Sequence, residues 1–243
     1  MIYGVNPVLE AIKASPAAIS GIMLSTGRTG AASAEIVNAA RAHGIRMERA
    51  EQRELDRIAG TPKHQGVVAY IEGEFPYADL DDLIKAWRKS RTPAFFLILD
   101  SIQDPQNLGS LLRAADAAGV HGVVIPKDRA TGVTPAVVKA SAGAAAHVPV
   151  AMVTNLVAAL KTLKDEGVWT AAVEADATES IHAADLKSDT AIVIGGEAGG
   201  IRRLVREACD YSVSIPMKGH VNSLNAAQAG AITMFEVLRQ RNT

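Results

Sequence analysis

Cysteine is almost absent from this chain, which holds Cys209 and no other thiol among its 243 residues. An internal disulfide framework and a metal site built from several thiolates are therefore excluded. Aromatic residues make up only 4% of the sequence whereas hydrophobic residues make up 48%, so the core must consist mainly of Ala, Val, Leu and Ile. Small aliphatic residues of this kind suit packed layers of helices and strands.

Long apolar runs and an excess of one charge are also missing. No stretch reaches the roughly 18 apolar residues that span a bilayer, and no basic segment followed by an apolar run opens the chain. We therefore expect a soluble, cytoplasmic protein without a membrane partner. The net charge of −1 predicts no general affinity for nucleic acids, so any basic patch must be local. The histidines show no metal-ligand spacing, and we expect no metal.

Three regions follow one another along the chain. Residues 1–72 have the pattern of a compact α/β unit, and the charged, amphipathic pattern of 73–92 predicts a linker that carries a helix. From 93 to 243, short apolar runs alternate with helical runs, as in a parallel sheet covered on both faces. The predicted strands of this region are 94–99, 122–125, 169–173, 191–194 and 211–215, and the predicted helices are 107–118, 154–166 and 223–241.

Segments 100–116, 192–202 and 214–232 share one design, an apolar strand followed by a loop of Gly, Pro or amide residues and then a helix. The glycine-rich loop of the second segment lacks both the Lys-Ser/Thr pair of a triphosphate-binding loop and the spacing of a dinucleotide fingerprint. In the third segment, Asn222 or Ser223 is the predicted N-cap of a long helix. Backbone N–H groups, a hydroxyl and amides therefore converge there, which predicts a cleft for a polar ligand.

Several polar side chains at this cleft have more than one interpretation. In the helix of the first segment, Asn107 and Arg113 lie off the apolar arc, and they belong either to a solvent-facing stripe or to the mouth of the cleft. Glu197 in the glycine-rich loop either orients that loop, pairs with Arg202 or Arg203, or contacts a cationic or hydroxyl-bearing ligand. The residue pattern alone leaves these alternatives open.

In this order and spacing, the three segments resemble the motifs of the SpoU branch of the SPOUT methyltransferases, the trefoil-knotted RNA ribose methylases. The resemblance covers nearly the whole chain and looks closest to the bacterial 23S ribosomal RNA (guanosine-2′-O)-methyltransferases. It implies a C-terminal trefoil-knotted α/β domain with a parallel sheet at 93–243. It also implies a small N-terminal α/β domain, similar to ribosomal proteins, that binds the RNA substrate, and a homodimer formed through the knotted region.

The resemblance also assigns roles to single residues. S-adenosyl-L-methionine is the implied cofactor, and no metal is needed. Arg113 would handle the proton of the ribose 2′-hydroxyl or stabilise the developing alkoxide, and both roles stay open. The implied catalytic residues are Asn107, Arg113, Glu197, Ser223 and Asn225, and the implied cofactor-binding residues are Gly195, Ile215 and Leu224. The chain departs from the family pattern just after Asn225, where Ala226, Ala227 and Gln228 follow.

These expectations predict an enzyme that methylates the ribose 2′-hydroxyl of a guanosine in 23S ribosomal RNA. A transfer RNA ribose methyltransferase is the nearest alternative, although such enzymes more often have short helical extensions than a full N-terminal domain. A methyltransferase for antibiotic resistance at another ribosomal position is a second alternative. A non-catalytic RNA-binding assembly factor of the same fold is the third alternative. It is disfavoured by the joint presence of the five implied catalytic residues, Asn107, Arg113, Glu197, Ser223 and Asn225.

Overall fold

The computed structural model describes residues 1–14, 16–27, 30–71, 75–197, 199–221 and 223–243. The chain divides into two compact units, each built from two stretches of sequence. The first unit comprises Met1–Pro76 and Val133–His147, and the second comprises Tyr77–Gly132 and Val148–Thr243.

Helices and strands alternate along most of the chain. Numbered in chain order, the strands are β1 (Ile2–Tyr3), β2 (Ile19–Ser25), β3 (Met47–Ala50), β4 (Val67–Ile71), β5 (Phe95–Asp100), β6 (Gly122–Pro126), β7 (Val150–Val153), β8 (Trp169–Val173), β9 (Glu179–Ser180), β10 (Thr190–Gly195) and β11 (Tyr211–Ser214). The α-helices are α1 (Val5–Ala14), α2 (Ala31–Ala42), α3 (Gln52–Ala59), α4 (Leu80–Ser90), α5 (Pro105–Ala118), α6 (Pro135–Ala140), α7 (Leu156–Asp165), α8 (Arg203–Ala208) and α9 (Ala226–Arg241). None of the helices in the described parts of the chain is both long enough and apolar enough to cross a bilayer.

The first unit is organised around a mixed sheet with strand order β1-β4-β2-β3. Strands β2 and β3 run parallel, whereas β4 is antiparallel to both of its neighbours. Helices α1 and α2 bury Ile12 and Ile36 in the same apolar cluster as Ile22 of β2. This unit therefore has a core of its own, as expected for an independent layer of helices on a sheet.

The stretch Val133–His147 joins the first unit although it comes from the middle of the chain. The ammonium group of Lys139 lies 4.1 Å from the ring centre of Tyr3. Nε2 of His147 lies 2.6 Å from Oε2 of Glu10, and this hydrogen bond is the main reason why the pKa of Glu10 lies below its usual value. Contacts between residues far apart in sequence thus hold this stretch in the first unit.

The second unit contains a sheet with strand order β7-β6-β5-β10-β8-β11-β9, and all the neighbouring strands described here are parallel. Strands β5 and β10 lie side by side, in register from Phe95 and Thr190 to Asp100 and Gly195. Both strands are fully or nearly fully buried and mostly apolar, as expected for strands at the centre of a parallel sheet that is covered on both faces. The carboxyl ends of both strands therefore meet at one edge, where the polar loops follow.

Helix α4, which the sequence places in a linker, packs into the core of the second unit. It buries Leu83, Ile84 and Trp87 against that core, and Nε1 of Trp87 donates a hydrogen bond to the Thr92 carbonyl at 3.0 Å. The predicted α/β class, the parallel sheet and the separate N-terminal unit are confirmed. The trefoil knot and the domain boundaries at 72 and 93 stay predictions.

Candidate active site

The loop that follows β10 is closed tightly against the end of β5, and we call its described residues, 195–197 and 199–202, the glycine loop. The Gly196 N–H donates to the Asp100 carbonyl at 2.8 Å, and the Gly200 N–H donates to the Gly196 carbonyl at 2.8 Å. A methyl group at Gly195 would collide with the backbone of Gly200. The chain's own backbone therefore requires glycine at this position, before any ligand is considered.

An ion pair between the buried Asp100 and the part-exposed Arg202 holds the glycine loop to the end of β5. Asp100 is fully buried, and its carboxylate accepts hydrogen bonds from Nε of Arg202 at 2.7 Å and from the Arg202 backbone N–H at 2.8 Å. Arg203 instead pairs with Glu207 at 2.7 Å, so neither arginine is the partner of Glu197. The spacing of the three segments does not predict this role of Asp100. Its signal is a charged residue at the end of an otherwise apolar strand.

Three of the predicted catalytic residues, one from each sequence segment, form a hydrogen-bonded cluster, which we call the amide–carboxylate cluster. Nδ2 of Asn107 donates to Oε1 of Glu197 at 2.8 Å. Nδ2 of Asn225 donates to Oδ1 of Asn107 at 3.0 Å and also to Oε1 of Glu197. Because both amides donate to one carboxylate oxygen, the rotamers of all three side chains are coupled. The other carboxylate oxygen, Oε2, has no hydrogen-bond partner within the described residues.

Helix α9 begins after Asn225, and not after Asn222 or Ser223 as predicted. Oδ1 of Asn225 accepts hydrogen bonds from the N–H groups of Ala227 at 2.8 Å and Gln228 at 3.4 Å. The side chain therefore caps the helix with its oxygen while its nitrogen binds the cluster. Ser223 lies in the preceding loop, and Asn222 lies outside the described residues.

A cavity of about 540 Å³ opens at the carboxyl ends of the second unit's strands. Among the predicted catalytic residues, Glu197, Ser223 and Asn225 line it. Its remaining charged lining consists of Glu174, Asp176 and Arg206, and the last of these pairs with Glu174 at 3.3 Å. The predicted cofactor residues Gly195, Ile215 and Leu224 all line it as well. An excess of carboxylates favours a cationic ligand here over an anionic one.

A second depression, which we call the outer cleft, has a volume of about 320 Å³ and borders the same glycine loop. Asn107, Asp104 and Arg202 line it, together with Glu197, which also lines the cavity. Asp104 accepts a hydrogen bond from the Gln106 N–H at 3.0 Å and so begins α5, which places Asn107 in the first turn of the helix. The amide–carboxylate cluster thus borders both the cavity and the outer cleft, with Glu197 lining both of them.

Arg113 is the predicted catalytic residue that the structure does not bring to this cluster. It is exposed on α5 and lines neither the cavity nor the outer cleft. Within the described residues, its side chain makes no hydrogen bond or ion pair. The described residues of a single chain therefore leave the Arg113 guanidinium available to a ligand or to another protein chain.

Cys209, the single thiol of the chain, lines neither the cavity nor the outer cleft. Burial raises the pKa of the Cys209 thiol to about 12, so this thiol stays protonated near neutral pH and is a poor nucleophile. In the parts of the chain that the structure describes, no group of three or more His, Cys, Asp or Glu side chains is arranged to hold a metal ion.

A parallel sheet with a polar cavity at the carboxyl ends of its strands is typical of α/β proteins that bind a ligand there. Comparison with known families matches residues 94–235 to the SpoU rRNA Methylase family. Residues 1–77 match a family described as RNA 2'-O ribose methyltransferase substrate binding. The chain belongs to the SpoU rRNA methylase family, and the prediction made from the three segments is confirmed.

Relatives and solved structures match the chain along its whole length. The 23S rRNA (guanosine-2'-O-)-methyltransferase RlmB of Nitrosomonas europaea is 41% identical over 99% of this chain and 92% of its own length. A Bacillus subtilis relative, 42% identical over 99% of this chain and 96% of its own length, has a name that gives both tRNA and rRNA. The crystal structure of the SpoU methyltransferase AviRb from Streptomyces viridochromogenes, in complex with the cofactor AdoMet, has a TM-score of 0.82 at 25% identity. That match covers 99% of this chain and 90% of AviRb.

Proposed function

We propose that this protein transfers a methyl group from S-adenosylmethionine to the ribose 2′-hydroxyl of a guanosine in 23S ribosomal RNA. The observation that carries this proposal is full-length similarity to enzymes named for that reaction, at 41% identity over 99% of the chain for the Nitrosomonas europaea relative. The AdoMet complex of AviRb, which has the same fold, supports the choice of cofactor. The protein acts in the cytoplasm, where ribosomal RNA is found.

The cavity at the glycine loop fits a sulfonium cofactor. Its carboxylates, from Glu174, Asp176 and Glu197, favour a positive charge, and the apolar side chains of Ile215 and Leu224 supply contacts for a flat base. S-adenosylmethionine supplies a methyl group that the sulfonium charge has already activated. What the protein must add is a positioned ribose and stabilisation of the charge that develops on its oxygen.

The amide–carboxylate cluster is suited to positioning the ribose. We assign Asn107, Glu197, Ser223 and Asn225 to this task because they border the cavity or the outer cleft. Oε2 of Glu197, which has no partner within the described residues, is the acceptor that we assign to a ribose hydroxyl. Arg113, as a permanent cation, is suited to stabilising the developing alkoxide.

In this proposal, Arg113 of one copy of the chain reaches the candidate active site of a second copy. A homodimer is supported by exposed apolar side chains on α9, since Ile232 is 41% exposed and Phe235 is 46% exposed. Within one chain, Gly230 of the same helix packs closely against Leu111 of α5. Mixing inactive Arg113→Ala protein with inactive Glu197→Ala protein tests the idea. Recovery of methyl transfer in the mixture is expected, because one hybrid site then holds both native residues, and no recovery would place Arg113 in its own chain's site.

The function itself is tested with purified protein, labelled S-adenosylmethionine and ribosomal RNA from cells that lack the protein. We expect one ribose-methylated guanosine in 23S rRNA, which a ribose-methylation map of total RNA would locate. A map of transfer RNA from the same cells tests the alternative that the name of the Bacillus subtilis relative raises. Methylation confined to transfer RNA would replace the proposed substrate, and methylation of neither RNA would contradict the proposal.

We also propose a division of labour in which residues 1–72 select the RNA, 73–92 link, and 93–243 bind the cofactor and transfer the methyl group. A fragment of residues 93–243 would deprive Lys139 and His147 of their partners near the N-terminus. A protease site inserted after Pro76 in the full chain is therefore the better experiment. The cut protein should elute as one species and keep its cofactor binding, whereas prompt loss of the N-terminal fragment would contradict these contacts.

A further inference from the structure

We infer that an arginine-lined groove on the second unit binds the phosphate groups of the RNA that flank the methylated nucleotide. This inference rests on the proposed function, whose substrate it extends to a particular surface. The groove has a volume of about 490 Å³ and contains Arg129, Arg202 and Arg203. The rest of its lining consists of Thr154, Asn155, Leu156, Val157, Leu204 and Val205. We call this surface the arginine groove.

The charge of the arginine groove is opposite to that of the cavity. Its lining includes three arginines and neither Asp nor Glu, whereas the lining of the cavity includes Glu174, Asp176 and Glu197. The chain as a whole has a net charge of −1, so three arginines around one groove are a local concentration. Sequence composition predicts that any basic patch must be local, and this groove is such a patch.

The three arginines are available to a ligand to different degrees. Arg129 is exposed, and no carboxylate pairs with it within the described residues. The pair between Arg203 and Glu207 lies on the surface, with side-chain exposures of 68% and 52%, so solvent weakens it and a phosphate can compete with it. Arg202 is held through Nε by Asp100, and the structure describes no partner for its other guanidinium nitrogens. Its position is therefore fixed, and Arg202 lines both the groove and the outer cleft.

The arginine groove is continuous with the candidate active site, and this position indicates which ligand it binds. Arg202 lines both the arginine groove and the outer cleft, and Glu197 lines both the outer cleft and the cavity. A ribose held at the amide–carboxylate cluster therefore continues, through its own phosphodiester chain, toward Arg202. An RNA strand presents a phosphate at every nucleotide, and arginine binds phosphate oxygens with a planar fork of donors.

The N-terminus of α7 also borders the arginine groove, but it is not a main source of phosphate-binding N–H donors. The inference therefore depends on the three arginines. Oδ1 of Asn155 already accepts hydrogen bonds from the N–H groups of Val157 and Ala158 at 2.9 and 3.4 Å. Two of the first free donors of that helix are thus satisfied by the chain itself. Removal of arginine charge should therefore remove most of the phosphate binding.

The test uses full-length protein with Arg129→Asn, Arg203→Gln and both changes together. Asparagine suits position 129 because Arg129 has a φ of 61°, in the left-handed region that Asn tolerates. Arg88→Gln is the matched control, since it removes an exposed arginine of the same unit that pairs with Glu166 at 2.9 Å. Arg202 is left unchanged because its loss would leave Asp100 buried without a partner. Thermal unfolding of each variant verifies that the fold is retained.

The affinity for a labelled single-stranded oligoribonucleotide is measured from low to high salt. Each lost phosphate contact should reduce the slope of log affinity against log salt by about 0.7. The KM for ribosomal RNA should rise about fivefold for each arginine, while kcat and the affinity for S-adenosylmethionine stay unchanged. The Arg88→Gln control should match the wild type in all of these quantities.

Two results would overturn the inference. In the first, the salt slope and the KM of the double variant equal those of the control. In the second, the double variant binds RNA normally and loses only affinity for a polyglutamate peptide. The second result would make the groove a site for acidic protein segments. Absence of methyl transfer in the wild type would contradict the proposed function instead. The salt slope of RNA binding would still decide the role of the groove in that case, so the two failures are distinguishable.

Discussion

The two faces of the glycine loop contact the rest of the second unit in different ways. On the inner face, Gly195 lies against backbone, and Arg202 pairs with the fully buried Asp100. On the outer face, the exposed Glu197 accepts hydrogen bonds from two amides that come from α5 and from the start of α9. The inner face thus fixes the path of the loop, and the outer face presents polar groups to the cavity and the outer cleft. This contrast predicts that stability and methyl transfer depend on different residues of one short loop.

The largest effect is expected on the inner face, for Gly195→Ala. The new methyl group would collide with the backbone of Gly200, so the loop must move and the cavity must change shape. We expect the free energy of unfolding to fall by more than about 4 kcal/mol, the range of severe core substitutions, and the binding of S-adenosylmethionine to be lost. Chemical denaturation and calorimetry measure both.

Gly199→Ala is the matched control, because no atom of the described residues, apart from its own chain neighbours, lies within 4 Å of the position its methyl group would take. Its free energy of unfolding should differ from that of the wild type by less than about 1 kcal/mol. Equal stabilities for the two variants would contradict the view that backbone packing, and not ligand access, requires Gly195.

The next effect concerns two neighbouring arginines. Arg202→Ala leaves the buried carboxylate of Asp100 without its charged partner, and we expect a loss of about 3 kcal/mol in the free energy of unfolding. Arg203→Ala removes only a surface pair with Glu207, and the expected loss is below about 1 kcal/mol. Urea denaturation of both variants measures the difference, and similar losses for the two would show that burial of Asp100 does not decide the outcome.

The third-largest effect is expected on the outer face of the glycine loop. Glu197→Gln keeps the size of the side chain but removes the negative charge that accepts hydrogen bonds from Asn107 and Asn225. Methyl transfer should fall by about 10²-fold, in the range for a positioned polar catalytic group, while the free energy of unfolding changes by less than about 1 kcal/mol. Single-turnover assays at saturating cofactor measure the rate. Glu207→Gln, on helix α8 and outside both the cavity and the outer cleft, should transfer methyl groups at the wild-type rate.

Local patterns in the sequence predicted the longer strands and helices of the second unit, but not β7, β9 or α8, and not the contacts between elements. The apolar runs at 94–99 and 191–194 predicted strands that the structure places at Phe95–Asp100 and Thr190–Gly195. No local pattern predicts that these two strands are neighbours, because their pairing joins residues about ninety positions apart. The role of Asp100 was missed for the same reason, because Asp100 lies in the first segment and its partner Arg202 lies in the second.

The boundary of the first unit shows the same limit. A composition change near residue 73 predicted where the N-terminal region ends, and the stretch Met1–Pro76 ends close to it. The addition of Val133–His147 depends on contacts such as those of Lys139 with Tyr3 and of His147 with Glu10. A cation over an aromatic ring and a single hydrogen bond leave no periodic signal in the sequence, so this stretch was assigned to the second region.

The smallest effect separates the two roles of Asn225, whose oxygen caps α9 on one side while its nitrogen binds the cluster on the other. Asn225→Ser keeps a cap acceptor for the Ala227 N–H but is too short to reach Asn107 and Glu197. Asn225→Ala loses both functions. Methyl transfer should therefore fall equally in both variants, and the alanine variant alone should lose a further amount of about 1 kcal/mol in the free energy of unfolding, the usual value for a helix cap. Equilibrium denaturation and single-turnover assays on the pair measure the two roles independently. Wild-type transfer by the serine variant would mean that the cap alone matters, so that the amide of Asn225 has no part in holding the ribose.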